Sequence, residues 1–112
     1  MNLLIVDDDI NYINLFREWL YQTEYNFNVV NNGFECINFL QNHRYDYVII
    51  DIFMPEMSGL KLYEFVESNF NVNLVIMSSS RDYINYKLPH ITNKFIKPTT
   101  FEEFNDMMAK LQ

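Results

Sequence analysis

Hydrophobic positions along this chain fall into two alternating patterns, short continuous apolar runs and longer stretches with apolar residues three or four apart. The runs Leu3–Val6, Tyr47–Ile50 and Leu74–Met77 are unbroken and too short for helices, while Phe27–Val30 and Lys94–Ile96, each with one polar residue, read as further short strands. Unbroken runs such as Leu3–Val6 and Tyr47–Ile50 suit strands buried on both faces, as in parallel sheets. Between them, Tyr12, Leu15, Phe16, Trp19 and Leu20 recur at helical spacing and predict a helix from about Ile10 to Gln22. A second helix follows Asn31-Asn32-Gly33 to about Asn42, and Leu60, Leu62, Tyr63, Phe65 and Val66 carry a third to about Asn69. The last, roughly Thr100 to Leu111, opens with a hydroxyl and Glu102-Glu103 in its first turn, a helix-start signature. Strands alternating with helices predict right-handed crossovers and a doubly wound α/β fold, a parallel sheet with helices on both faces.

Polar residues at the ends of these runs carry the candidate chemistry. Leu3–Val6 ends in Asp7-Asp8-Asp9, Tyr47–Ile50 in Asp51, Leu74–Met77 in Ser78-Ser79-Ser80, and Lys94–Ile96 in Lys97-Pro98. Open α/β sheets bind ligands in the crevice beyond the carboxyl ends of their strands. With the first and third strands adjacent, Asp7, Asp8 and Asp51 converge there and repel one another unless a cation sits among them. Carboxylate oxygens with room for water suit Mg²⁺. The acidic triplet equally suits a helix N-terminus, where Asp is favoured, and one of the three can cap the helix under either reading. A carboxylate nucleophile, a metal site, a hydroxyl and an ammonium are the parts needed to accept a phosphoryl group by in-line attack.

Val6-Asp7-Asp8, Asp51 with Met54-Pro55 and Gly59, then Ser78, then Lys97-Pro98, occur in the order of a known family. Over essentially its whole length, residues 1–112, the chain resembles the receiver domain of two-component response regulators. The resemblance implies a five-stranded flavodoxin-like sheet in the order 2-1-3-4-5. It makes Asp51 the phosphoacceptor. Asp8, directly, and Asp7, through water, would hold Mg²⁺ together with Asp51 and the backbone carbonyl of Phe53. Ser78 would be the switch hydroxyl, and Ser78, Ser79 and Lys97 would contact the phosphoryl group. Pro98 matches a proline whose preceding peptide bond is cis in the family. The implied donor is a sensor histidine kinase or a phosphotransfer protein. The output is an unknown partner or an effector domain beyond Gln112, and the receiver acts as a monomer or as a phosphorylation-dependent dimer. Such a domain promotes its own phosphorylation and dephosphorylation and turns over no separate substrate.

The chain departs from the family in one region. Between Ser78 and Lys97 it is shorter than most receivers by about two or three residues and lacks the usual Gly-Ala turn. Pro89 would end a helix after about two turns, so the helix between the fourth and fifth strands is expected to be short or irregular. Lys94 stands at the second switch position, where the family usually has Tyr or Phe. Phe95 points to the opposite face and is no substitute, and Lys94 is either an exposed cation or a group reaching toward the acidic crevice. The alternative function is therefore a receiver-like binding module that works without phosphorylation. Tyr83 and Tyr86 lie near the face that serves as output or dimer surface in the family, although helix packing accounts for them equally well.

Composition narrows the setting. A length of 112 residues suits one domain, and 49% hydrophobic with 17% aromatic residues excludes a disordered chain. A net charge of −7 argues against direct nucleic-acid binding, which needs a basic face. The one cysteine, Cys36, lies on an apolar helix face and reads as core. His43 and His90 lack metal-binding spacing. No apolar run approaches a membrane span, Met1 leads directly into a strand, and a cytoplasmic location is expected.

Overall fold

A computed structural model of the chain describes residues 1–81, 84 and 91–111. Its strands are β1 (Asn2–Val6), β2 (Asn26–Val30), β3 (Tyr47–Asp51), β4 (Asn73–Ser78) and β5 (Lys94–Ile96). Four helices lie wholly within the described residues: α1 (Ile10–Leu20), α2 (Gly33–Asn42), α3 (Gly59–Asn69) and α4 (Phe101–Ala109). All neighbouring strands are parallel, in the order β2-β1-β3-β4-β5. The flavodoxin-like architecture thus matches the expectation. Arg81 and Ile84 are helical, and Ile84 is buried. The expected short helix as a whole, with Tyr83, Tyr86, Pro89 and His90, lies outside the described residues.

The side-chain alternation of the strands divides the core in two. Leu4, Val6, Val48, Ile50 and Ile76 pack with Cys36 of α2 and with Leu62, Tyr63 and Val66 of α3. Leu3, Ile5, Ile49, Val75 and Met77 pack with Phe16, Trp19 and Leu20 of α1 and with Phe104, Met107 and Met108 of α4. Every one of these residues is at most 9% exposed, so the three central strands are covered on both faces, which explains their unbroken apolar runs. Leu15, which shares the helical spacing of Phe16 and Trp19, is 37% exposed, while Ile13 is buried.

Polar side chains fix where the helices begin. Asp9 accepts from the Asn11 and Tyr12 N–H groups at 3.1 and 3.2 Å and caps α1. Asn32 caps α2, and Glu35 reaches back to the Asn31 N–H at 3.2 Å. Ser58 caps α3. Thr100 caps α4, with Glu103 accepting from the Thr99 N–H at 2.9 Å. The expected helix from Thr100 therefore starts one residue later, with Thr100 as its cap. No helix among the described residues is long and apolar enough to cross a membrane.

Candidate phosphoacceptor site

Parallel pairing continues past the strand ends and brings the candidate groups to one edge. Asp7 N–H bonds to the Val30 carbonyl at 3.1 Å, Ile52 N–H to Met77 at 3.0 Å and Lys97 N–H to Ser78 at 2.8 Å. Asp7 continues the Leu3-Ile5 alternation, Asp51 follows Ile49 and Lys97 follows Phe95, so all three belong to the face covered by α1 and α4. One carboxylate oxygen from each of Asp7, Asp8 and Asp51 lies within 4.8 Å of the others. Asp7 is 0% and Asp51 5% exposed, whereas Asp8 faces solvent. The Asp9 cap also decides the acidic triplet: it occupies the third residue and leaves the first two for the cluster.

Lys97 sits against the buried carboxylates. Its Nζ lies 2.8 Å from Asp7 Oδ2 and 3.3 Å from Asp51 Oδ2. The Lys97 ammonium is thus the partner of Asp7 Oδ2, and the other Asp7 oxygen accepts from the Asp9 N–H at 2.9 Å. Burial, and then repulsion from Asp7, push the Asp51 carboxyl up to about 6, against a smaller opposing pull from Lys97. Burial by itself would lower the Lys97 ammonium, but contact with Asp7 and Asp51 outweighs it and raises the group. One ammonium against two buried carboxylates, with Asp8 close by, leaves the cluster net negative.

These features fit Mg²⁺. The donor set is hard oxygen, three carboxylates face one ammonium, and the exposed Asp8 gives access from solvent.

The loop after β3 frames the cluster. Phe53 is 51% exposed, and its N–H approaches Asp51 Oδ1 at 3.4 Å, a long contact. Glu56, after Pro55, has φ 64°, a left-handed conformation that disfavours a side chain. At Gly59 the first turn of α3 lies directly on the end of β3: a Cβ there would clash with the Asp51 carbonyl and come within 2.5 Å of Ile52 Cα. The Gly59 N–H bonds to the Ile52 carbonyl at 2.9 Å, which clamps the loop.

The remaining candidates fall at the same edge with different exposure. Ser78 is fully buried and its Oγ accepts from the Ser80 N–H at 3.0 Å, while Ser79 is exposed. Lys94 begins β5 opposite Ile76 and is half-buried. The expected cis bond before Pro98 is absent: the described residues contain no cis peptide, so Lys97–Pro98 is trans. Proline tolerates both isomers and trans is the lower in energy. The Pro98 carbonyl accepts from the Tyr12 hydroxyl at 2.7 Å.

Tyr12 is the neighbour that sequence reasoning missed. It served only as one of the residues whose spacing predicts the first helix, but its ring lies 4.3 Å from Lys97 Nζ. Burial first, and then the charges of Asp7, Asp51 and Glu103, push its phenol far up, so it stays protonated. Only its position in the first turn of the helix that follows the acidic triplet could have pointed to the site.

The other chemically distinctive residues stand apart. Cys36 is fully buried, and burial pushes its thiol up to about 12, which makes it inert core. The exposed His43 packs beside Phe39 and Tyr45 in the loop between α2 and β3.

The family model described as the response regulator receiver domain matches residues 3–108. The chain belongs to this family. It is 29% identical over 113 residues to the two-component response regulator EHD1 of Oryza sativa subsp. indica, covering 96% of this chain and 33% of that protein. A probable histidine kinase 1 from the same source is 38% identical over 66 residues, 59% of this chain and 7% of that one. The receiver thus spans a third or less of these relatives. Among solved structures, the response regulator TrrA of Thermotoga maritima in complex with Mg²⁺-BeF superposes with TM-score 0.83 at 26% identity, covering 99% of this chain and 98% of TrrA. TrrA in complex with the histidine kinase ThkA gives TM-score 0.83 at 25% identity, covering 97% and 96%. The chain is a receiver domain of two-component signalling, and its acidic triad is consistent with a phosphoacceptor site.

Proposed function

We propose that this receiver, acting as one domain over residues 1–112, takes a phosphoryl group from a phosphohistidine donor onto Asp51 and thereby alters its interaction with a partner. The observation that carries the proposal is the placement of Asp51, buried, 3.3 Å from the Lys97 ammonium and within 4.8 Å of oxygens from Asp7 and Asp8. A carboxyl raised to about 6 is ionised near neutral pH yet more basic than an ordinary aspartate, which favours it as a nucleophile. One Asp51 oxygen attacks phosphorus while the P–N bond of the donor breaks. The bonding pair returns to the imidazole nitrogen, and the product is an acyl phosphate on Asp51.

Asp7, Asp8, Asp51 and the Phe53 carbonyl would hold Mg²⁺, which when bound supplies positive charge against the phosphoryl oxygens. Lys97 would turn from Asp7 toward the new dianion, a charge-assisted contact stronger than one to a neutral group. The Ser78 hydroxyl, at the end of the neighbouring strand, and the exposed Ser79 are the further donors on this edge. Hydrolysis of the acyl phosphate resets the domain, so it processes no separate substrate. The complex of TrrA with the kinase ThkA supports a histidine kinase as the donor.

Incubation with a small acyl-phosphate donor tests the proposal. The expected result is Mg²⁺-dependent, one-to-one incorporation that Asp51→Asn abolishes in a folded protein. Equal incorporation by Asp51→Asn would overturn it.

A further inference from the structure

Lys97 is a flexible side chain asked to hold one position. Its four-methylene stem projects from the residue that follows β5, and an unrestrained lysine samples many rotamers. Its two carboxylate partners are also the groups a cation would claim, so ion pairing by itself does not keep the ammonium in place when the site is loaded. The Tyr12 ring lies on another side of it, at 4.3 Å, well within cation–π range. One hydrogen bond holds that ring directly: the Tyr12 hydroxyl donates to the Pro98 carbonyl at 2.7 Å, next to Lys97 itself, while the Tyr12 backbone N–H is tied to the Asp9 cap at 3.2 Å. Behind it stand Phe16 at 5.9 Å and Trp19 at 6.3 Å, both packed on Phe104 of α4.

We infer that Tyr12 is a positioning residue for Lys97, holding the ammonium at the mouth of the acidic cluster through its ring face and through its bond to Pro98. The inference rests on the proposed phosphoacceptor role of Asp51. Ordinary core packing explains a large apolar residue at position 12. It does not require a ring face on the ammonium or a hydroxyl bond to the residue following Lys97, and a leucine would pack there as well. A ring that restrains Lys97 without touching the donor should affect the transfer step more than donor binding.

The test compares the parent chain with Tyr12→Leu and Tyr12→Phe. In the Mg²⁺-free protein, the Lys97 ε-methylene protons are expected upfield of the other lysines because of the ring current. The shift should persist in Tyr12→Phe and vanish in Tyr12→Leu. With saturating Mg²⁺ and acetyl phosphate, the maximal labelling rate should fall about fivefold or more in Tyr12→Leu, with half-saturation by the donor changed less than about twofold. Tyr12→Phe should restore most of the rate. A folded Tyr12→Leu protein that keeps the lysine shift, or labels as fast as the parent, overturns the inference. Should Tyr12→Leu not fold, phenylalanine and pentafluorophenylalanine at position 12 keep the shape and differ in the ring's charge distribution. Equal labelling rates for those two would overturn it as well. If the parent itself takes up no phosphoryl group, the phosphoacceptor reading fails, and the Lys97 resonances still decide whether Tyr12 restrains the ammonium.

Discussion

Asp51 is costly to ionise in the folded state, and this gives the site a measurable signature. Its carboxyl rises from an ordinary 3.8 to about 6 because of burial and then Asp7. A folded value above the unfolded one means that the contribution to stability is fully present below pH about 4 and is lost as pH rises through about 6. Asp51→Asn removes that loss. Without divalent cations it should be more stable than the parent by about 1–3 kcal/mol near neutral pH, and the gap should close toward pH 4. Urea midpoints at the two pH values check this, and a parent chain more stable than Asp51→Asn at neutral pH would contradict it. Lys97→Met should act in the opposite sense. It leaves Asp7, which is 0% exposed, as an uncompensated buried charge, at a cost of about 3 kcal/mol. Mg²⁺ should recover more stability in Lys97→Met than in the parent, as read from melting temperatures across a Mg²⁺ titration. Asp7, Asp51 and Lys97 could be found in the sequence because each ends an apolar run. Tyr12 was harder to find, because a partner of its hydroxyl lies 86 positions away and its helical spacing points only to a helix. The trans bond before Pro98 was likewise not written in the chain, since proline permits either isomer.

Among the elements, the junction of β3 and α3 does most to shape the site. Gly59 lets the helix start against the end of the strand that carries Asp51, where the obstacle to a side chain is backbone that has little room to yield. Gly59→Ala should therefore cost about 3 kcal/mol or more, above the usual range for overpacking. Because the clash is with the Asp51 carbonyl, labelling should fall even in molecules that remain folded. Chemical denaturation with parallel labelling checks both expectations, and an alanine tolerated within about 0.5 kcal/mol would show that the junction can open. At Gly33 the nearest atom to a new Cβ is the flexible Met57 side chain, so the same substitution there should be far milder. Element types followed from periodicity together with length, since an unbroken apolar run of four residues between polar residues is too short for a helix. Boundaries were less certain because capping decides them: Thr100 reads as helical by composition, yet its side chain accepts from the Glu103 N–H and it stands outside α4. Leu15 shows the same limit, sharing helical spacing with Phe16 and Trp19 while facing outward.

At the scale of the whole molecule, the order β2-β1-β3-β4-β5 turns scattered residues into a site. Placing β1 beside β3 brings Asp7 and Asp8 to Asp51, and placing β4 between β3 and β5 leaves Lys97 to reach back across the crevice. The parallel class followed from the apolar runs, whereas the strand order came from family resemblance, because nothing in a run of Val and Ile names its neighbour. The half-buried place of Lys94 at the start of β5, opposite Ile76, was not readable from its charge. The central claim is that this one edge makes Asp51 the phosphoryl acceptor, and chemical trapping tests it most directly. After reaction with acetyl phosphate and Mg²⁺, borohydride reduces an aspartyl phosphate to homoserine, and peptide mass spectrometry locates the converted residue. The account predicts conversion at Asp51, dependent on Mg²⁺ and lost in Asp8→Asn. Conversion at Asp7 or Asp8 in the parent chain, or none at any aspartate despite a folded protein and saturating Mg²⁺, would contradict it.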